Sequence, residues 1–397
     1  MNMLRTSSGS VRVALDSLQS KIQGAVMVQG DAHYDDARRA WNLALDQYPA
    51  VIVVAVSAAD IVEAVRFARE ANLGIAVQAT GHGMVRPAND GLLIITARMT
   101  NVHVDAEAQT AWVEAGAKWG IVLDKAQAVG LAPLLGSSPD VGAVGYTLGG
   151  GMGWLARKYG MSADSVHRFE VVTADGRLIR ASASENSDLY WALRGGGGGS
   201  FGIVAGMEIQ LYPVKMVYGG NLIYPASMAK EVMTRYRDWI ADAPDELTSA
   251  IALMNFPPIP EVPEFLRGQS VVMVRGCYAG PVVEGEALIK PWLDWQAPLA
   301  NMWRVMPFTE VATISNDPED PMPIMFTGAW MRELTDEAID TLIKYGVSTN
   351  GSSPLVMTEI RHTGGAIARV DKHANAFGNR DATLVLDHAV PNCDSRE

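Results

Sequence analysis

His82 is the residue in this sequence whose surroundings most invite chemistry. It stands between two glycines in the stretch Thr80-Gly81-His82-Gly83, directly after an apolar segment with the character of a strand, so its imidazole is presented where a ligand can reach it. Two further glycine-rich stretches follow, VGAVGYTLGGGMGWLA (141–156) and RGGGGGSFG (194–202). Glycine lets backbone amides come close to a ligand and turn toward an anion, so several such loops near strand ends point to a phosphate-bearing cofactor. The alternatives are tight turns, a flexible linker and, for His82, a turn histidine that makes no bond. The linker suits RGGGGGSFG poorly, because that run sits between the helical pattern DLYWAL and the strand-like FGIVAGMEI.

Other chemistries fit less well. Gly151-Met152-Gly153-Trp154-Leu155-Ala156 matches the dinucleotide fingerprint G-x-G-x-x-A, and Asp175 lies downstream at a suitable spacing for a ribose-binding acid. That fingerprint requires a buried strand just before the glycines, whereas VGAVGYTLGG is itself broken by glycine. Asp175 is also occupied in a turn, so the strand after it runs antiparallel instead of completing a Rossmann unit. There is no Walker-type lysine motif, zinc-binding helix or nucleophile-elbow serine, and the remaining histidines lack ligand spacing, so no metal site is expected. Cys277 and Cys393 are the only cysteines, which excludes a disulfide-rich scaffold, and both are expected as free thiols.

The elements that hold these loops follow from apolar periodicity. AVIVVAV (50–56) is a short β-branched run suited to burial on both faces. A helix should follow, with Ser57 and Asp60 as capping side chains, Ile61, Val65 and Ala68 on its buried stripe, and Asn72 and Gly74 at its end. GIAVQA (74–79) then closes a β-α-β unit and runs into the His82 loop. LLIIT (92–96) is a further strand, NVHVD and TAWVEAG form a hairpin, and FEVVTA and RLIRAS form another around a two-residue Asp175-Gly176 turn. After Tyr212-Pro213 the glycine-rich character fades. A helix is expected at about 229–242 and strands at 251–254, 270–274, 354–360 and 382–388, with an irregular loop through Pro257 to Pro263. The fold class is therefore α+β, the second part an antiparallel sheet covered by helices.

With 397 residues, 48% of them apolar and 19% charged, the chain has the composition of a globular protein of two domains or one large one. A net charge of −12 disfavours nucleic acid and anionic membrane as partners. No apolar run has signal-peptide length or approaches the ~20 residues of a membrane span, so a cytoplasmic location is expected.

Taken in order, VQATGHG, GLLIITARMTNVHVD, VGAVGYTLGGGMGWLARKYGMSADSV, VVTADG, DLYWALRGGGGGSFGIV and LYPV resemble the flavoproteins of the vanillyl-alcohol oxidase/PCMH superfamily. The similarity is greatest to the berberine-bridge-enzyme-like branch, including monocovalent members of the 6-hydroxy-D-nicotine oxidase type. It is dense over residues 33–213 and looser afterwards, in RHTGGAIARV and AFGNRDA. The resemblance implies a lead-in (1–32), a PCMH-type FAD-binding domain (33–213) and a substrate-binding domain (214–397) expected to be incomplete at its C-terminus. It implies FAD bonded covalently through His82, with Gln78, Ala79, Thr80, Gly81 and Gly83 around that bond. Gly142, Gly145, Gly149, Gly150, Gly153 and Trp154 would lie along the cofactor, and Gly202, Ile203 and Val204 near its adenine and ribose. Some relatives add a cysteinyl bond from the segment matching LLGSSPDVG. Ser137 and Ser138 stand there, so a single histidyl bond is expected.

The implied reaction is oxidation of a CH–OH or CH–NH group of a small molecule by hydride transfer to flavin N5, with dioxygen as acceptor giving hydrogen peroxide. A dehydrogenase using another acceptor and a catalytically impaired flavin-binding protein are the alternatives. The latter arises because the family continues past ATLVLDHAV with a segment that often carries an active-site tyrosine, whereas this sequence stops at PNCDSRE. Among the residues present, Glu359 and Arg361 share a face of a predicted strand, and with Tyr146 and His362 they are the candidates for proton transfer. The alternative for Glu359 and Arg361 is a solvated ion pair.

Overall fold

A computed structural model describes residues 8–83, 86–348 and 353–391. Its strands form three sheets. The first two use strands between Ala25 and Gln210, and the third uses strands between Met216 and Pro391.

The first sheet has four strands, in the order Ala25–Met27, Val51–Val54, Leu92–Ile95, Ile75–Gln78. Leu92–Ile95 pairs in parallel with both of its neighbours, so it stands between Val51–Val54 and Ile75–Gln78, the two strands of the predicted β-α-β unit. Burial explains the order. All four side chains of Leu92–Ile95 are buried and suit a central strand, whereas Ile75 and Val77 are exposed on an edge. The helix Ala58–Ala71 crosses over as predicted: the Ser57 hydroxyl accepts from the Asp60 amide at 3.3 Å, and Asn72 ends the helix in the left-handed region at φ 54°. Asp60 does something else: its buried carboxylate accepts from the amides of Gln23, Gly24 and Val56. The lead-in is part of this layer, since Leu18 and Ile22 enter its core and Ala25–Met27 pairs with Val51–Val54.

The second sheet is antiparallel, in the order Val102–Asp105, Thr110–Glu114, Ile203–Gln210, Val166–Val172, Leu178–Ser182. Both predicted hairpins are present. The turn of the second differs: the Gly176 amide donates to the Thr173 carbonyl at 2.9 Å and the Thr173 amide to the Arg177 carbonyl at 3.0 Å, enclosing three residues. Only Gly176, at φ 74°, is left-handed. Asp175 instead accepts from Arg177 Nε and from the Thr173 hydroxyl, which leaves it no role as a ribose-binding acid.

The third sheet has eight antiparallel strands, with Ser270–Tyr278, Leu247–Asn255, Met357–His362 and Leu384–Pro391 adjacent in that order. All four predicted strands are present; 251–254 and 270–274 lie inside the observed strands, while 354–360 and 382–388 begin three and two residues ahead of theirs. The strands Met216–Pro225 and Ile324–Met331 had no clear sequence signal. Gly219 and Gly220 interrupt the first, and the second buries few of its side chains. Helices Ala229–Ile240, Val282–Trp295 and Asp336–Gly346 cover one face, packing Tyr236, Trp292 and Ile339 against Leu222, Ile251, Val274 and Ile360. The other face turns toward the second sheet, and Val217, Ala250 and Cys277 join that sheet's core. Cys277 is a buried free thiol, and Cys393 lies outside the described residues. Among the described residues no helix is long and apolar enough to cross a membrane.

Candidate active site

The three glycine stretches converge. A Cβ on Gly142 would stand 3.3 Å from Ala79 Cβ and 3.6 Å from Thr80 Oγ1, which places the second stretch against the His82 loop. The Gly197 amide donates to the Leu148 carbonyl at 2.9 Å, which joins the third stretch to the second. Between them lies the short helix Ala143–Leu148, with Gly145 and Gly149 on its exposed side.

These glycines do two different jobs. Gly83, Gly145, Gly197 and Gly199 face open space, so their backbones are accessible to a ligand. Gly81, Gly150 and Gly153 are there because of close packing. A Cβ on Gly81 would fall 2.6 Å from Ala40 Cβ, one on Gly150 would meet the Phe377 ring at 2.7 Å, and one on Gly153 would run into the Leu135 carbonyl. Gly202, at φ 127°, packs against Val171 and Val172, and the side chains of Ile203 and Val204 are buried. Any contact from that strand to a ligand is therefore through its backbone. Gln78 is buried with its amide committed, donating to the Arg39 carbonyl and accepting from Gln47.

His82 is stacked on Trp41, with ring centroids 4.2 Å apart and planes 14° apart. Its Nδ1 is 2.8 Å from the Thr80 hydroxyl, and its buried Nε2 has no partner. Burial lowers its pKa to about 4; Asp140 opposes this in part and Lys118 adds to it. The imidazole is thus neutral at pH 7, with a lone pair available. Lys118 and Asp140 are themselves ion-paired. Ser138 accepts from the Asp140 amide at 3.2 Å and is buried, while Ser137 stands beside it without a thiol to offer.

The Trp41 segment carries the site across to the third sheet. Trp41 Nε1 donates to the Glu319 carbonyl at 2.8 Å, and the Asn42 side chain donates to the Ile324 carbonyl at 2.8 Å. Ile324 begins the strand beside Leu384–Pro391, which in turn pairs with Met357–His362. Glu359 and Arg361 lie on the face of that sheet turned away from the covering helices, as the period-two reading requires. They form an ion pair, but it is not solvated. Glu359 is 0% exposed, and its second oxygen accepts from Arg275 Nη1 at 3.1 Å. Burial opposes ionisation of Glu359, but Arg361 and Arg275 outweigh it and hold the carboxyl below its usual range.

Tyr146 belongs to the same region. Its ring is wedged between Gly136 and Gly151, its hydroxyl is buried without a partner, and burial raises its pKa while the charge of Arg361 acts against that rise. His362 does not join this group. The strand's alternation turns it to the opposite face, where its Nε2 lies 3.0 Å from Arg157 Nη1. Burial, with Arg157 adding to it, lowers its pKa to about 3. Trp41, Arg275 and Asp387 were not found from sequence: each is brought in by packing between distant segments, for which a single strand's pattern carries no signal.

The arrangement fits a flavin on its own evidence. Open backbone lies beside three glycine loops, and His82 Nε2 and Tyr146 Oη, which flank these loops, are buried without partners. A polar group left unsatisfied in this position is costly, and a ligand held by the loops would relieve it. Among the described residues no group of His, Cys, Asp and Glu could hold a metal ion. A groove of about 980 Å³ between helices Ser8–Lys21 and Ala58–Ala71 is lined by other residues, including Lys21, Glu63 and Arg66.

Residues 49–182 match the family described as FAD binding domain. The sequence is 30% identical over 379 residues to the FAD-linked oxidoreductase YgaK of Bacillus subtilis, spanning 93% of this chain and 81% of that one. It is 37% identical over 202 residues to (R)-6-hydroxynicotine oxidase of Paenarthrobacter nicotinovorans, spanning 50% of this chain and 44% of the relative. In structure it is similar to the berberine-bridge-enzyme-like protein 1 of Physcomitrella patens, with a TM-score of 0.82 at 23% identity over 95% of this chain and 83% of the other.

Proposed function

Because the chain belongs to the FAD-linked oxidoreductases, we propose that it bonds FAD covalently through His82 and oxidises a CH–OH or CH–NH group of a small molecule, with dioxygen as acceptor. The observation that carries the covalent reading is the state of His82. Its imidazole is neutral, held by the Trp41 stack and by Thr80, with one nitrogen buried and unpartnered beside the glycine loops. When bound, FAD supplies the two-electron acceptor for the reaction. Open backbone at Gly83 and Gly145 would receive it, and Gly81, Gly142 and Gly153 bring the surrounding loops close enough to do so. Residues 33–213, with the preceding helix Ser8–Lys21 and strand Ala25–Met27 packed into their first layer, form the cofactor-holding unit, and the strands from Met216 to Pro391 the substrate-holding unit. Arg361 and Tyr146 face the substrate side of the site, and Glu359 holds Arg361 in place. Ser137 and Ser138 in the neighbouring loop leave His82 as the single point of attachment.

Acid precipitation of the purified holoprotein tests the bond. Wild type should keep yellow, fluorescent flavin in the washed pellet, and His82→Ala should release all of it into the supernatant. If wild type releases its flavin as completely as the variant, the bond does not form. Peroxide yield on turnover tests the acceptor: one peroxide per substrate marks an oxidase, and flavin reduction without peroxide marks a dehydrogenase.

A further inference from the structure

We propose that Asp387 is the general base of the reaction, taking the proton from the substrate hydroxyl or amine. The inference rests on the oxidation proposed above and adds the residue that makes it possible at neutral pH.

The sheet register places Asp387 directly opposite Glu359 on the neighbouring strand, and therefore on the same site-facing surface as Glu359 and Arg361. On its other side the register partner is Gly328, and a Cβ there would fall 2.7 Å from Asp387 Oδ1. The missing side chain at 328 is what leaves room for the carboxylate. Ala250, the register partner of Arg361, packs in one core with Val144, Leu148 and Trp154 of the second glycine stretch, so Asp387 lies on the side of the sheet that faces the glycine loops.

The two acids of this pair are treated differently. Glu359 has a guanidinium on each oxygen, from Arg361 and from Arg275. Asp387 has no hydrogen-bond donor among the described residues. Burial raises its pKa, Arg361 acts against this and Glu359 adds to it, so the carboxylate is more basic than an exposed one. A base must have both a free acceptor atom and appreciable basicity. Glu359 has neither. Tyr146 is protonated, since burial raises its pKa, and His362 faces Arg157. In the proposed step the substrate O–H or N–H bond breaks and its proton goes to an Asp387 oxygen. The electron pair left behind forms the C=O or C=N bond while the C–H hydrogen leaves with its pair to the oxidised flavin. The proton is later released to solvent.

The test uses holoprotein of wild type, Asp387→Asn and Asp387→Glu, with D-glucose as the alcohol probe and (R)-6-hydroxynicotine as the amine probe, whose tertiary nitrogen carries the transferable proton in its ammonium form. In anaerobic stopped flow, Asp387→Asn should slow flavin reduction by about a hundredfold or more while the dissociation constant of the probe stays near that of wild type. The acid limb of the wild-type pH profile should disappear, and Asp387→Glu should restore part of the rate. An unchanged rate with the acid limb intact overturns the assignment. If neither probe reduces wild-type flavin, the reaction class proposed above fails for these substrates, and the raised basicity that the assignment of Asp387 requires is tested separately by denaturation. A carboxyl whose folded pKa is raised favours its neutral form in the fold, and the stability it contributes is lost as pH rises through that pKa. Asparagine mimics the neutral form, so Asp387→Asn should be more stable than wild type at pH 8, with the difference vanishing by pH 3. If Asp387→Asn is instead less stable at pH 8, Asp387 is a structural partner of Arg361 and the proposal is wrong.

Discussion

Glu359 shows how much one residue can depend on its neighbours. It is fully buried, and two guanidinium groups make its ionisation tolerable. Removing one partner of a buried ion pair leaves an uncompensated charge and costs about 3–5 kcal/mol, far more than the pair adds over an apolar replacement. Glu359→Gln should therefore lose stability of about that size in urea at pH 7. The pH dependence has a fixed sign. The folded pKa of Glu359 lies below the unfolded value, so its contribution is complete above the ordinary glutamate range and is lost as pH falls through the folded pKa. Wild type and Glu359→Gln should converge in stability as the medium is acidified below that range. A gap that stays constant down to pH 2 would mean that the charge of Glu359 is not what the arginines require.

At the scale of elements, the His82 loop is held in shape by Gly81. This residue sits at φ 80° with no space for a side chain, since a Cβ would press on Ala40 Cβ and come within 2.8 Å of Ala40 Cα. The left-handed conformation alone costs a residue with a Cβ about 1–2 kcal/mol. The clash adds a displacement of Ala40 and hence of Trp41, which stacks on His82. Gly81→Ala should lower both the urea midpoint and the flavin bound per chain, read from the absorbance ratio of purified protein. A normal flavin content would show that the loop adapts without moving Trp41. Much of this was legible in the sequence: the strand entering the loop, the helix capped by Ser57 and Asn72, and the shared face of Glu359 and Arg361 all follow from local periodicity. The rest required information that no local window holds. Leu92–Ile95 inserts between two strands that precede it, which depends on which strand can be buried on both faces. The turn at Gly176 encloses three residues because Thr173 and Arg177 close it, a choice made by the register of the flanking strands. Asp387 gains meaning only from Gly328 and Glu359, one on each neighbouring strand.

Across the whole molecule, the second glycine stretch and the segment that leads into the third sheet are fastened by a buried polar knot. Arg380 binds both oxygens of Asp164, at 2.7 and 3.1 Å, and Asn375 donates to Asp164 at 2.7 Å. The same segment places Phe377 against Gly150 and Gly195, one from each of two glycine stretches, and takes hydrogen bonds from Trp191 and Arg194. The knot thus ties the segment that enters the third sheet to two of the glycine stretches. Arg380→Met removes one partner and strands the nearly buried Asp164 carboxylate, so it should destabilise by about 3–5 kcal/mol. Adding Asp164→Asn should recover part of that loss, because the stranded charge goes with it. Coupling is the decisive quantity: the two substitutions in a double-mutant cycle should depart from additivity by about 0.5–3 kcal/mol in urea denaturation. The cofactor supplies a second reading of the same cycle. Phe377 follows Asn375 in the knot, so Arg380→Met should also lower the flavin content, and the double variant should regain some of it. Additive stabilities, or a flavin content that ignores Arg380, would mean that the glycine loops hold their shape without the third sheet behind them.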